Sequence, residues 1–560
     1  MVEVKFNGKS MVRKSFRGDP AASERRLFQL AAGKPCVALV FPNDYSLAVS
    51  NLGYLWAWRM FNEHGLRCER FVVPSRQRSG TKADRSIPRS LDSGERLNRF
   101  PLIAFSLCYE NDYVRALRFL LAAGIPPLSR KRTRADPIVF AGGIAITANP
   151  APLAEVLDFV VLGELEPIAG RLCEALEMWR GQNRTGFLRS LAEIEGVYVP
   201  RIHGTPEEMS GRAGIEVQKH RQPRFAYSPL LTDRGEFGNA FLIELGRGCP
   251  SLCRFCLIGH VSLPPRYADL TGALDALEAS GASRVGLLAS DVAGHPGFNR
   301  LLAELVDRGL EVSVSSLRMG TKADYRLLAE AGLKQITLAP ECGSVRIRTL
   351  VNKRCGDDEV IDEMERALDA GIERIKLYFM VGLPTESSED ALRIATLVEK
   401  ARGALGKRHR LLVSVAPFVP KPHTPFELVP FAGERAIKER FNLLRSRLAR
   451  IPNVEFEIAS AREAKYQAYI SRAGSEAARI LIASAQTGKN IEHAARDLGV
   501  DLDEAVGRDR SPDELLPWKF VDTKVKHEFL VDQYHLALDG KAGPKCRVGR
   551  CTVCGVCGSD

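Results

Sequence analysis

Between Lys34 and Trp179 the chain alternates short, continuously apolar runs with stretches of helical periodicity, and the alternation starts again near Ala240. Apolar runs without a polar face are strands buried on both sides, and the helical stretches between them supply the crossovers that parallel strands need. In the first series strands are expected at 36–41, 68–73, 101–107, 137–140 and 159–162, with helices at 50–64, 113–123 and 166–179. In the second they are expected at 240–245, 284–289, 311–315, 335–339, 374–381 and 411–416, with helices between them such as 324–331 and 358–370. The fold class is therefore α/β: an N-terminal Rossmann-like parallel sheet, then a (β/α)6-type partial TIM barrel, then a helical C-terminal region. The expected organisation is a basic arm at 1–32, the Rossmann-like domain at 33–200, a polar linker at 201–236, the partial barrel at 237–432, and a helical region with a Cys-rich metal site at 433–560. In both architectures ligands sit at the carboxyl ends of the strands.

Composition narrows the class. The net charge of +11 over 560 residues is a mild basic bias, which fits a solvated surface and leaves an RNA or anionic partner as a weak expectation. The N-terminus lacks a signal-peptide pattern, and no apolar run reaches the roughly 18 residues of a membrane span. A cytoplasmic, non-membrane protein is expected, where thiols stay reduced and clustered cysteines read as metal ligands. Of the thirteen cysteines, three fall at Cys249, Cys253 and Cys256, and four at Cys546, Cys551, Cys554 and Cys557; the other six are scattered, as small buried residues are.

The first cluster, Glu244-Leu-Gly-Arg-Gly-Cys249-Pro-Ser-Leu-Cys253-Arg-Phe-Cys256, follows the first barrel strand with C-x3-C-x2-C spacing. Three thiolates on one loop can hold three irons of a cubane and leave the fourth open to a small chelating molecule. Structural zinc prefers four ligands in two pairs. Gly246 and Gly248 let the loop turn tightly.

This triad resembles that of the radical S-adenosylmethionine (SAM) superfamily, over residues 237–430. The resemblance implies a [4Fe–4S] cluster whose open iron binds SAM, reductive cleavage to a 5′-deoxyadenosyl radical, hydrogen abstraction from a substrate, and a reducing partner such as flavodoxin or ferredoxin. It also implies that Phe255 lies against adenine. Further motifs stand at the expected strand ends: Ser290-Asp291, Ser315 with Arg318, Glu341-Cys-Gly343 with Arg346 and Arg348, Gly382-Leu-Pro-Thr-Glu386, and His423 facing substrate. The resemblance makes Ser290, Asp291, Ser315, Arg318, Glu341, Arg346 and Gly382 candidate SAM contacts, with the Gly382 backbone against adenine. The Pro-Glu-x-Gly…Asn-Lys stretch (340–353) is similar to the methylthiotransferase-like core.

The Rossmann-like domain ahead of the barrel resembles that of cobalamin-dependent members. On that resemblance Asn51, Ser106, Gly142, Gly143, Gly163 and Glu164 are candidate cobalamin-binding positions. No Asp-x-His-x-x-Gly motif is present, so a lower axial His is not expected, and Leu165 departs from the Gly-Glu-Gly-Glu seen in many members. The terminal cysteines, spaced C-x4-C-x2-C-x2-C, suit either a second iron–sulfur cluster or zinc.

Three functions are compatible: cobalamin-dependent methyl transfer or another C–H functionalisation by a transferase; sulfur transfer, methylthiotransferase-like, to RNA or protein; and a non-catalytic RNA- or metal-binding protein on a decayed scaffold. The substrate is not legible.

Overall fold

The computed structural model describes residues 21–557, apart from 35, 74–86, 180, 182, 213, 223–224 and 406–408. Most of the expected basic arm therefore lies outside the described residues. Its described end is not loose: Arg25–Arg26 pairs antiparallel with Leu230–Leu231.

The N-terminal sheet has six strands: β1 (Val37–Asp44), β2 (Cys68–Val73), β3 (Leu102–Ser106), β4 (Ile138–Gly142), β5 (Phe159–Val161) and β6 (Val197–Tyr198). Their order is β2-β1-β3-β4-β5-β6. The first five strands pair in parallel, as their apolar runs imply. β6 is antiparallel and was not expected; two residues are too short a run to carry a period.

The second series gives β7 (Phe241–Glu244), β8 (Arg284–Leu288), β9 (Glu311–Val314), β10 (Gln335–Glu341), β11 (Arg374–Val381) and β12 (Arg410–Pro417), within one or two residues of the expected positions. All neighbours pair in parallel. A parallel bridge from Leu317 to Leu338 joins β9 to β10, so the two sheets curve into one open barrel. A seventh strand, β13 (Val454–Ile458), pairs in parallel with β12 inside the stretch expected to be helical. Its Val-Glu-Phe-Glu-Ile alternation belongs to an edge strand with one wet face, not to a two-face buried run.

The expected linker is ordered. Ile215–Glu216 pairs with Val521–Asp522, Gln218 bridges Gly163, and Tyr227 bridges Ile243. The C-terminal region braces both sheets: helix Ala477–Thr487 packs on Tyr113–Ala122, and the Trp518 indole donates to buried Glu427 at 2.8 Å. One apolar core runs through both domains, including Val40 and Ile103 of the first and Leu287 and Ile375 of the second. Among the described residues no helix is long and apolar enough to cross a membrane.

Candidate active site at the cysteine loop

The loop after β7 is shaped before any ligand is considered. Gly246–Arg247 pairs antiparallel with Arg266–Tyr267, closing a hairpin around the cysteines. A β-carbon on Gly246 would come within 2.7 Å of the Arg266 carbonyl oxygen. Gly248, at φ +75°, would put one 2.5 Å from the Ser262 oxygen. Both positions therefore demand glycine. The hairpin is held by charge: Arg247 reaches Glu164, Glu166 and Glu244 at 2.7–2.9 Å, and Arg266 makes a forked pair with Glu164 at 2.7 and 2.9 Å. Despite burial, Arg266 and Arg247 hold the Glu164 carboxyl below its ordinary range.

Inside the hairpin the backbone of the triad is fixed from the far side of the barrel. Asn352, just past helix Val345–Leu350, donates its amide to the Ser251 and Leu252 carbonyls at 3.2 Å each. Arg254, fully buried, donates to the Leu350 carbonyl at 2.9 Å. Burial pushes the Cys253 thiol up to about 12, with Cys256 and Cys249 adding to the shift, and the Cys256 thiol up to about 11, with Cys249 adding to it. Such sulfurs become thiolates by exchanging the proton for a metal. Among the described residues no three His, Cys, Asp or Glu side chains converge on a single ion; thiolates at the corners of a cubane stand farther apart than the ligands of one ion. The donor set, three mutually interacting thiols on a glycine-shaped loop beside a cation, fits a [4Fe–4S] cluster.

That cation is Lys353. Its Nζ lies 3.3 Å from Glu341 and donates to the Ala339 carbonyl at 3.0 Å. Burial opposes the ammonium, but Glu341 and Cys253 hold its pKa above the ordinary value. Burial pushes the Glu341 carboxyl up against the pull of Lys353. Glu341 sits at φ +71°, where β10 loses register with β11; a non-glycine residue in this region marks strain kept for a purpose. Opposite stands a second polar chain: Arg318 donates to Ser251 at 2.7 Å, and its Nε lies 3.6 Å from Asp291. Asp291 Oδ2 and Arg318 Nε are the two atoms of that ion pair; both are buried and neither makes a hydrogen bond.

The candidates named from the sequence divide in two. Glu341, Asp291 and Arg318 gather at the triad with Ser315, whose hydroxyl donates to the Ala289 carbonyl at 3.1 Å. Ser290 is exposed beside them. Phe255 is partly buried among Leu383, Phe418 and Phe426, so packing occupies part of its ring. Three expectations are corrected. Arg346 is half-exposed and bound to Asp390 and Thr385, which commits its guanidinium elsewhere. The Gly382 N–H donates to Glu386 at 2.5 Å, so an adenine contact from this turn would have to use another backbone group. His423 is buried and tied to the Ala148 carbonyl at 3.0 Å, joining the domains rather than facing substrate. Arg348 likewise serves the backbone, donating to the Cys342, Gly343 and Cys355 carbonyls. The sequence marked Asn352 and Lys353 as the end of a motif but gave neither a role; only the fold brings residues a hundred positions away onto the cysteine loop.

At the strand ends of the first sheet, Asn51 and Ser106 converge on the Cys108 sulfur at 3.8 and 4.0 Å. Gly142 and Gly143 turn the chain; a β-carbon on Gly143 would meet the Leu107 oxygen at 2.5 Å. Gly163 and Glu164 are accounted for otherwise. A β-carbon on Gly163 would strike the Gln218 backbone at 2.3 Å, and Glu164 is the clamp on the hairpin. Of the predicted cobalamin positions, Asn51, Ser106 and Gly142 lie together at these strand ends, beside Cys108.

Two family models match this chain: Radical SAM proteins, N-terminal, over residues 53–200, and the Radical SAM superfamily, over residues 243–398. The uncharacterized protein MJ0966 of Methanocaldococcus jannaschii is 31% identical over 347 residues, covering 61% of this chain and 71% of that one. The ribosomal protein uS12 methylthiotransferase RimO of Syntrophotalea carbinolica is 24% identical over 283 residues, covering 44% of this chain and 56% of the relative. Among solved structures, the radical S-adenosylmethionine methyltransferase TsrM from Kitasatospora setae, with cobalamin and a [4Fe-4S] cluster bound, matches with a TM-score of 0.48 at 17% identity, covering 71% of this chain and 77% of that one. A radical SAM enzyme is the class that the barrel, the triad and the two family models define. The chain belongs to the radical SAM superfamily.

Proposed function

We propose that this chain cleaves SAM reductively at a [4Fe–4S] cluster held by Cys249, Cys253 and Cys256, and uses the resulting radical chemistry to functionalise a C–H bond, with methyl transfer as the outcome. When bound, the cluster supplies the electron and an open iron for the amino acid moiety of SAM. The chain's own groups do the rest. Asp291, Arg318 and the Glu341–Lys353 pair present fixed charges of both signs around that position, suited to the ammonium, carboxylate and ribose of SAM. Phe255 closes one side with apolar surface, and the hairpin clamped by Glu164 and Glu166 keeps the loop in place. The observation that carries the proposal is the convergence of the triad with the Glu341–Lys353 pair.

In the finer form, Asn51, Ser106, Cys108 and Gly142 hold a corrinoid at the first sheet's strand ends, as methyl carrier. A second reading, sulfur transfer, is supported by the methylthiotransferase relative and by the 340–353 stretch.

The test is anaerobic purification followed by iron, sulfide and corrinoid analysis and an assay for SAM cleavage. Wild type is expected to bind iron at the triad and to release 5′-deoxyadenosine. Replacing Cys249, Cys253 and Cys256 with Ser abolishes both. Absence of triad iron in wild type refutes the proposal; iron with no corrinoid retains the radical step and moves the outcome to sulfur transfer.

A further inference from the structure

The four terminal cysteines do not form a separate tail. They fold onto the triad loop. Leu252 and Leu263 of that loop share one apolar cluster with Phe529, Leu530 and buried Cys554, against which Cys546 and Val556 pack. Polar contacts repeat the junction. The Gly543 N–H donates to Asn352 Oδ1 at 3.0 Å, the same Asn352 whose amide holds the Ser251 and Leu252 carbonyls. Arg354 donates to the Gly543 carbonyl, and Arg254, the residue after Cys253, reaches Gln533 at 3.4 Å. The Cys554 carbonyl accepts from the Lys526 N–H at 2.9 Å, fastening the cysteine turn to the start of helix His527–Leu538. Asn352 thus belongs to both cysteine loops at once.

The segment that leads into the terminal cysteines exposes Lys545, Arg547 and Arg550, and Lys541 before them, which pairs with Asp539 at 3.1 Å. Buried chemistry on one side and exposed cations on the other describe a port. Electron transfer falls steeply with distance, and the terminal cysteines pack directly against the triad loop.

We infer that Cys546, Cys551, Cys554 and Cys557 hold a second iron–sulfur cluster that takes single electrons from an acidic donor protein and passes them to the cluster at the triad. The inference rests on the function proposed above. One electron leaves the donor, resides on the terminal cluster and moves to the triad cluster, where it is consumed in breaking the carbon–sulfur bond of the sulfonium. The terminal cluster returns to its oxidised form and no proton is transferred at it.

The experiment uses the full chain, reconstituted anaerobically. Wild type is expected to hold about eight irons per chain. Once reduced, it should give an electron paramagnetic resonance signal broadened by spin–spin interaction between two clusters. The Cys551→Ser/Cys557→Ser variant is expected to hold about four irons, to give a simple triad signal, and to lose the fast phase of triad reduction by ferredoxin. Reversing Lys545, Arg547 and Arg550 to Glu should slow reduction by ferredoxin about tenfold or more without slowing reduction by a viologen radical. Zinc at the terminal cysteines, two magnetically independent clusters, or an unchanged rate of triad reduction in the double variant would each overturn the inference while leaving the triad's chemistry standing. If the double variant also loses the triad cluster, the wild-type spin–spin interaction decides alone. Missing iron at the triad in wild type refutes the earlier proposal instead.

Discussion

Lys353 and Glu341 show how much a single pair can matter in this barrel. Each is nearly removed from water, and each satisfies the other at 3.3 Å. Removing one partner strands a buried charge, whereas removing both leaves two neutral groups. Lys353→Met is therefore expected to destabilise the chain by about 3–5 kcal/mol, and Glu341→Gln in the same chain to recover much of that loss. Chemical unfolding of the two single variants and the double variant measures the coupling; additive losses would mean that the pair does not act as a unit. The same cycle read through SAM binding separates roles. A pair that only braces the barrel would restore binding in the double variant, and a pair that contacts SAM would not.

At the scale of an element, the turn Gly382-Leu-Pro-Thr-Glu386 joins β11 to helix Ser388–Ala404 and is held by its own carboxylate. Gly382 at φ +87° and Thr385 at φ +60° bend the backbone so that the Gly382 N–H meets Glu386. Burial pushes the Glu386 carboxyl up to about 7, from an ordinary value of 4.5. The folded chain then keeps a proton that the unfolded chain releases above pH 4.5. Stability contributed by this group consequently falls as pH rises from 4.5 to about 7 and is level beyond. Glu386→Gln keeps an acceptor for Gly382 and does not titrate. Relative to wild type, it should gain on the order of 3 kcal/mol between pH 4.5 and pH 8. Parallel pH dependence of the two proteins in unfolding experiments would contradict this.

For the whole molecule, the junction of sheet and barrel depends on groups buried in one ionisation state. His423 holds the Ala148 carbonyl through its Nε2, and its N–H donates to Glu427, which also receives the Trp518 indole. Burial pushes His423 down to about 4, so the folded ring is neutral. The unfolded chain takes up a proton below its ordinary value of 6.5, and the folded chain resists until about 4. Stability at this junction is present above pH 6.5 and drains away as pH falls toward 4. Hydrogen exchange at Ala148 and its neighbours should quicken through that window in wild type. His423→Asn, which tolerates the φ of +57° there, should flatten the dependence. An identical profile in the variant would place the acid-sensitive group elsewhere.

Much of this was legible without coordinates. The strands 68–73 and 374–381 stand where their apolar runs put them, because a strand buried on two faces is written in consecutive residues. The spacing of the triad was equally plain, since three thiols on one loop are a local pattern. Strand β13 was missed because an edge strand carries little hydrophobic signal. Gly163, Glu164, Arg346 and His423 were named as ligand contacts because a glycine, a charge or an imidazole at a strand end looks the same whether it meets a ligand or another part of the chain. Which of these it meets is decided by residues far away in sequence: Gln218 against Gly163, Arg247 and Arg266 against Glu164, Asn352 against both cysteine loops. Local order thus determined the elements and the cysteine loop. Tertiary structure alone decided the partners of each buried charge, because desolvation leaves a charge stable only where folding delivers its counterpart.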